Sequence, residues 1–308
     1  MTILSATQDV SVEQVILPAV RDLGDGFKVR RALPSAQRRM VGPFIFLDHF
    51  GPTVFRAGGA PNVRPHPHIG LSTLTYLLEG EIVHRDSVGS VETVRAGDVN
   101  WMTAGSGIVH SERSPEKFQS QGGTMFGQQI WVALPKAVEE VQPGFSNHGE
   151  HTLPTLEAEG ALLKVIAGEA FGKRSPVPVY SDLMYVDVVL KAGARLKVPA
   201  EHVERALFIV SGEIEVSGQT ETFGEMQLVV LKPGAEIVLG SERGAHLMLV
   251  GGEPFAEQRH IYWNFVSSSQ ERIEQAKDDW RKGRFPEIAG ETEFIPLPPD
   301  PPPPATAR

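Results

Sequence analysis

Two short patterns constrain this chain more than any other feature: His66-Pro67-His68 and His110-Ser111-Glu112. Each pair is spaced i, i+2. Successive side chains on a β-strand alternate faces, so each pair would present both its side chains on one side. Two such strands facing each other would bring three imidazoles and one carboxylate to a common point. That is a four-ligand set for one divalent transition metal. Imidazole nitrogen with carboxylate oxygen suits iron, nickel, copper, manganese or zinc, and the chain has no cysteine to offer a thiolate.

The flanking residues predict strands. Gly70 to Leu78 is rich in apolar and β-branched residues and is closed by the turn pair Glu79-Gly80, after which Ile82-Val83 follows. Val91 to Val94 ends at Ala96-Gly97-Asp98. Val99 to Met102 runs into Thr103-Ala104-Gly105-Ser106-Gly107, and Ile108-Val109-His110 resumes an extended pattern. Short strands punctuated by glycine turns describe a sandwich or a small barrel. A barrel points alternate residues inward, so His66, His68, His110 and Glu112 are expected to converge on its interior.

The second half repeats the first. Leu77-Leu78-Glu79-Gly80-Glu81-Ile82 recurs as Ile209-Val210-Ser211-Gly212-Glu213-Ile214, a shift of 132 residues, and Gly97-Asp98 is echoed by Gly224-Glu225. Under that shift His66 becomes Val198 and His68 becomes Ala200. The second copy is therefore expected to keep the strands, lose the ligands and bind no transition metal. His202 and Glu204 form another i, i+2 pair there, with His246 downstream.

Length and composition set outer limits. A chain of 308 residues can build two barrels, each with its own core. A net charge of −9 argues against a general nucleic-acid surface. No apolar stretch is long enough to span a membrane and Met1-Thr-Ile-Leu-Ser-Ala carries no basic leader, so the cytoplasm is the expectation; a monomer is expected separately. Residues 1–150 are read as the first barrel, 151–285 as the second with a helix over about 268–282, and 286–308 as a proline-rich tail. Ser267 to Arg272 would cap the helix, Gly283 would stop it, and Ile273 and Trp280 would face the body. The basic pairs Arg30-Arg31 and Arg38-Arg39 are read as solvated charge. His49 is read as a packing residue or a neighbour of the site, and His84-x-Asp86 as a structural hydrogen-bonded pair.

These runs also carry a family resemblance. His66-Pro-His-Ile-Gly70, Thr75-Tyr-Leu-Leu-Glu-Gly80 and Gly97-Asp-Val-Asn-Trp-Met-Thr-Ala-Gly-Ser-Gly-Ile-Val-His-Ser-Glu112 resemble the signature of the pirins, bicupins of the cupin superfamily. The likeness covers about residues 20–285, and Trp101-Met-Thr-Ala-Gly105 followed by His110 and Glu112 is its most specific part. It implies an all-β fold of two jelly-roll cupin barrels in tandem with a short C-terminal helix. It implies one metal, Fe(II) before Ni, Cu, Mn or Zn, on His66, His68, His110 and Glu112. Several bacterial pirins are credited with quercetin 2,3-dioxygenase activity, which implies a flavonol-like substrate and O2 as partners. On that route Glu112 would be the catalytic base for the substrate hydroxyl, with carbon monoxide leaving as the ring is cleaved. Eukaryotic pirins are reported as transcription cofactors and some bacterial ones bind metabolic enzymes. The alternative the resemblance implies is thus a metal- or redox-dependent regulatory protein with a protein partner. One departure is Ser72, where many pirins carry Glu; that loss is expected to alter the surroundings of the metal.

Overall fold

The computed structural model describes residues 11–23 and 27–300. Two β-barrels fill it, and each is a large antiparallel sheet closed by a small one. In the first barrel the large sheet runs Gly144–His148, Val99–Thr103, Leu71–Glu79, Gly123–Ala133, Phe44–Phe55, Lys28–Leu33, Ala19–Asp22. The small sheet runs Val63–His68, Ile108–Arg113, Glu81–Asp86, Val91–Arg95. The second barrel repeats this order strand for strand. Its large sheet runs Val12–Ile16, Leu228–Leu231, Glu204–Gly212, Ala245–Gly252, Leu183–Leu190, Ala161–Ala170, Thr155–Ala158, and its small sheet runs Arg195–Val198, Ile237–Gly240, Ile214–Val216, Thr222–Phe223. The repeat read from the sequence is thus a repeat of topology.

The ends of the chain cross over between the halves. Val12–Ile16 pairs with Leu228–Leu231 and takes the place in the second barrel that Gly144–His148 holds in the first. The helix Gln270–Arg281 does not sit on the second barrel. It buries Ile273 and Ala276 against Ile69 and Phe265, beside the His66 strand. Ser269 Oγ caps it by accepting from Arg272 N–H, and Gly283 takes a left-handed φ of 64° just past its end. Gly144–His148 thus lies in the first barrel and Thr155–Ala158 in the second, while Val12–Ile16 and the helix each lie with the other half. An edge strand needs covering, and in each barrel part of the cover comes from the other half.

Side-chain parity sorts the core into layers. On Leu183–Leu190, Met184, Val186, Val188 and Leu190 point into the second barrel, while Leu183 and Tyr185 point toward the first. On Leu71–Glu79, Leu74 and Tyr76 join that same inter-barrel layer with Trp101, Phe44 and Phe208. Tyr76 Oη donates to Asp187 Oδ2 at 2.7 Å across the seam, and His246 Nε2 meets Asp187 Oδ1 at 2.6 Å. The two barrels therefore share one inter-barrel core layer.

Two glycines fix the turn after the His66 strand and the turn before the His110 strand. Gly105 has φ +50°, and a Cβ there would lie 1.9 Å from the Val141 carbonyl oxygen. Gly70 has φ +67°, and a Cβ there would lie 1.9 Å from the Val266 oxygen. The Gly70 N–H donates to the Gly105 carbonyl at 2.9 Å, locking the two turns together. A side chain at either position would collide with the carbonyl facing it and shift its turn.

Candidate metal centre

His66 and His68 lie on the edge strand of the small sheet, which is why Pro65 and Pro67 are tolerated beside them. His110 lies on the next strand, directly opposite His66. The three rings converge inside the barrel, with centroids 4.4–5.0 Å apart, and each offers a nitrogen within 4.8 Å of the others'. The expected triple of imidazoles is formed, and all three are buried.

Glu112 is placed differently. The ladder slips between His110 and Glu112, so that Glu112 pairs with Val63 while His110 pairs with His66. The extra residue is on the proline-bearing strand, and such a bulge re-aims the side chains around it. Glu112 lines the same cavity as the histidines, but its carboxylate lies outside the three-imidazole group. Thr75 Oγ1 lies 3.3 Å from Glu112 Oε1 and 2.9 Å from Gln129 Oε1.

Hydrogen bonds fix most of the tautomers. The Arg64 carbonyl can only accept, so His66 Nδ1 carries the proton at 2.9 Å and Nε2 keeps its lone pair. Asp86 accepts from His84 Nε2 at 3.0 Å, and its other oxygen takes the Val88 and Ser90 N–H groups. His84 Nδ1 and His110 Nδ1 lie 3.4 Å apart, and His110 Nδ1 carries the proton on that side. His110 Nε2 is left free. His68 Nε2 faces it at 3.1 Å, while His68 Nδ1 is buried without a well-formed hydrogen bond, the Asn264 backbone lying against that side of the ring.

Burial governs the charges. It pulls His66 down to about 4, and it holds His68 and His110 well below the ordinary imidazole range, with the neighbouring rings adding to the shift. All three are neutral and able to ligate at pH 7. Burial pushes the Glu112 carboxyl up, against the opposing pull of His84 and the Thr75 hydroxyl. For Asp86 burial also acts upward, but the His84 bond and the backbone donors outweigh it and hold the carboxyl low.

The residues fit a divalent transition ion. Two nitrogens 3.1 Å apart subtend about 95° at an ion bonded at about 2.1 Å, close to adjacent corners of an octahedron. With His110 Nε2 free, the proton between the two rings sits on His68 Nε2; an ion taking both Nε2 atoms would move that proton to the orphaned His68 Nδ1. The His110–His84–Asp86 chain is the outer support that ligating histidines ordinarily have.

The cavity beyond the ligands measures about 730 Å³. Phe46 stacks on Trp131 at 4.0 Å, Trp131 meets the edge of His68, and Phe50 and Trp263 add apolar wall. Arg31 grips Asp48 through both carboxylate oxygens, at 2.9 and 2.7 Å, with its guanidinium over the Phe46 ring. Burial raises the Asp48 carboxyl while Arg31 opposes it.

Several expectations need correcting here. Arg31 is a wall residue of the cavity, and Arg38 bridges Glu13 and Glu204, so these two are not merely solvated charge. Both are long side chains whose carboxylate partners are distant in sequence. Ser72 does not adjoin the histidines. By parity it faces the seam between the barrels, where its hydroxyl donates to Thr103 Oγ1 at 3.2 Å. His49 also faces the seam, against Phe126 and Phe208. Sequence reasoning missed Thr75, Gln129, Trp263, Asn264 and Ile295 as neighbours of the site. The polar pair Gln128-Gln129 inside an otherwise apolar strand was the one available signal. The last three arrive from the far end of the chain. Ile295 N–H donates to the Pro65 carbonyl at 2.8 Å, and Glu291 binds Ser111 and Arg113, so the segment before the tail straps the His66 and His110 strands. Residues 301–304 of the proline run lie outside the described residues.

Comparison with known proteins agrees with this construction. The family model Pirin matches residues 26–132, and Pirin C-terminal cupin domain matches 185–286. A pirin-like protein of Caulobacter vibrioides is 53% identical over 283 residues, covering 90% of this chain and 96% of that one. A Pseudomonas aeruginosa protein with a provisional quercetin 2,3-dioxygenase name is 37% identical over 273 residues, covering 88% and 84%. The crystal structure of quercetin 2,3-dioxygenase from Acinetobacter baumannii superposes with a TM-score of 0.86 at 35% identity, covering 94% of this chain and 95% of that one.

Proposed function

We propose that this chain, which belongs to the pirin family, is a mononuclear metal dioxygenase that cleaves quercetin or a related flavonol. The observation that carries the reading is the placement of three neutral imidazoles and one carboxylate on the wall of a cavity of about 730 Å³ with aromatic sides. His66, His68, His110 and Glu112 would hold the ion, Fe(II) foremost. When bound, the ion supplies Lewis acidity toward the adjacent 3-hydroxyl and 4-carbonyl oxygens of a flavonol and a site for reaction with O2.

The chain's own groups do the rest. The faces of Phe46, Phe50, Trp131 and Trp263 suit a flat polyphenol. The Arg31–Asp48 pair gives that wall a polar edge for ring hydroxyls. Glu112 accepts the 3-hydroxyl proton on a carboxylate oxygen, with the Thr75 hydroxyl beside that carboxylate at 3.3 Å. The raised affinity of Glu112 for a proton matches this task.

The test is oxygen uptake with quercetin by metal-loaded protein, wild type against Glu112→Gln at matched metal content. The amide keeps an oxygen donor but cannot take the proton, so turnover is expected to fall on the order of 100-fold or more. Equal turnover would remove Glu112 as the base. No uptake with any flavonol and any of iron, nickel, copper or manganese would overturn the dioxygenase reading.

A further inference from the structure

Three neighbouring strands of the second barrel end together. Leu183 pairs with Gly252, and Gly252 pairs with Glu204, so the residues just outside those ends share one corner of the sheet. They are Asp182, Glu253 and His202. Their ligand atoms lie within 4.8 Å of one another. The corner is built. Glu253 N–H donates to the Asp182 carbonyl at 3.1 Å, and Val203 N–H donates to Glu253 Oε1 at 3.2 Å.

His202 supplies the independent observation. It is 5% exposed. Its Nε2 donates to the Glu169 carbonyl at 3.1 Å, which leaves the lone pair on Nδ1. That nitrogen is buried and has no hydrogen bond, the nearer carboxylate oxygen, Asp182 Oδ1, being 3.7 Å away. A lone pair aimed at two carboxylates, on a ring whose other nitrogen is tied to a carbonyl, is the arrangement a metal-ligating histidine takes. A cavity of about 660 Å³ opens beside it, lined also by Glu169 and Glu201.

We propose that Asp182, His202 and Glu253 form a second divalent-cation site, outside the barrel interior, that clamps the three strand ends. One imidazole and two carboxylates suit Zn²⁺ or Mn²⁺, with water completing the coordination. The repeat-equivalent positions remain apolar. This ligand set arises elsewhere, and it departs from the expectation of a metal-free second half. It also replaces the His202-x-Glu204 pairing, because Glu204 is held by Arg38 and the Gly42 N–H.

The experiment titrates chelator-stripped protein with Zn²⁺ alone and reads stoichiometry by calorimetry. Wild type is expected to bind two ions and His66→Ala/His68→Ala one. Adding Glu253→Gln or His202→Gln should weaken the remaining ion on the order of 100-fold, since changes outside the ligand shell already cost about 10–100-fold. Glu253→Gln in the wild-type background should lower the count from two to one, which serves even if the double variant does not fold. A Zn²⁺ anomalous signal among the three residues would support the site. A single ion in wild type that survives both Glu253→Gln and His202→Gln, or a second ion indifferent to both, would overturn it. Neither readout depends on flavonol turnover.

Discussion

The two barrels share a strand order and differ in what fills them. In the second, one unbroken apolar cluster occupies the interior, from Leu163 and Val186 to Val198, Ile237 and Leu249. In the first, two separate apolar clusters, one around Phe27, Phe50 and Leu77 and one around Ile45, Leu71 and Trp131, stand on either side of a polar gap. That gap is the histidine site. Val198 faces Ile237 across the second small sheet as His66 faces His110 across the first. The same scaffold is thus stable with the position filled by side chains or left open, because the inter-barrel layer and the second core supply the burial the first barrel forgoes.

The largest difference between the halves should be in metal. Replacing His66 and His68 together with alanine is expected to abolish ion binding in the first barrel while leaving the fold intact, as read by elemental analysis and circular dichroism. The prolines, the bulge and the small-sheet pairing do not depend on those rings. A full equivalent of ion on the first barrel of that variant would mean the ligands lie elsewhere.

Acid should also separate the halves in metal-free protein. Burial is the main cause holding His66 and His49 at about 4 instead of 6.5. Between those values the unfolded chain binds protons that the folded chain refuses. Stability is therefore full above about 6.5 and falls as pH drops toward 4, by about 3 kcal/mol for each group. The second interior cluster is apolar, and the buried Arg205, on the same strand face as Leu207 and Ile209, keeps its charge throughout this pH range. His49→Gln should flatten the decline of melting temperature with falling pH by its share, and hydrogen exchange should rise first in the first barrel. An unaltered pH profile in that variant would mean His49 is not the group responsible.

A converse substitution probes the filled interior. Val198→His restores at one position the residue type of the first copy. Val198 is fully buried among apolar neighbours, so the ring would be overpacked and its nitrogens unpartnered. A loss on the order of 2–3 kcal/mol is expected in chemical denaturation, with no ion gained at that position. A stability equal to wild type would show that the second barrel holds more room than its packing implies.

What could be read from the chain alone follows a physical line. Strands, turns and the three histidines were legible because they are local: an i, i+2 spacing, a glycine with positive φ, a repeated segment. The strand exchange of Val12–Ile16, the strap through Ile295 and the corner of Asp182, His202 and Glu253 were not, because each depends on which distant ends the topology brings together. The aim of Glu112 was hidden for a smaller reason. A one-residue slip between His110 and Glu112 changes direction without changing spacing.

Parity decides the last case, and with the smallest expected effect. Ser72 and Thr75 are three residues apart on one strand, so they point to opposite faces. Thr75 reaches Glu112 and Gln129 in the cavity; Ser72 reaches Thr103, whose hydroxyl also takes the Trp101 Nε1–H at 3.2 Å. Ser72→Ala should remove one buried hydroxyl bond at the seam, at a cost of about 1 kcal/mol in denaturant unfolding. It should leave metal affinity and turnover unchanged. Thr75→Val keeps the shape but removes the hydroxyl beside Glu112, and should lower turnover while metal is retained. If Ser72→Ala changed metal affinity and Thr75→Val did not, the seam and the cavity would have to be assigned the other way round.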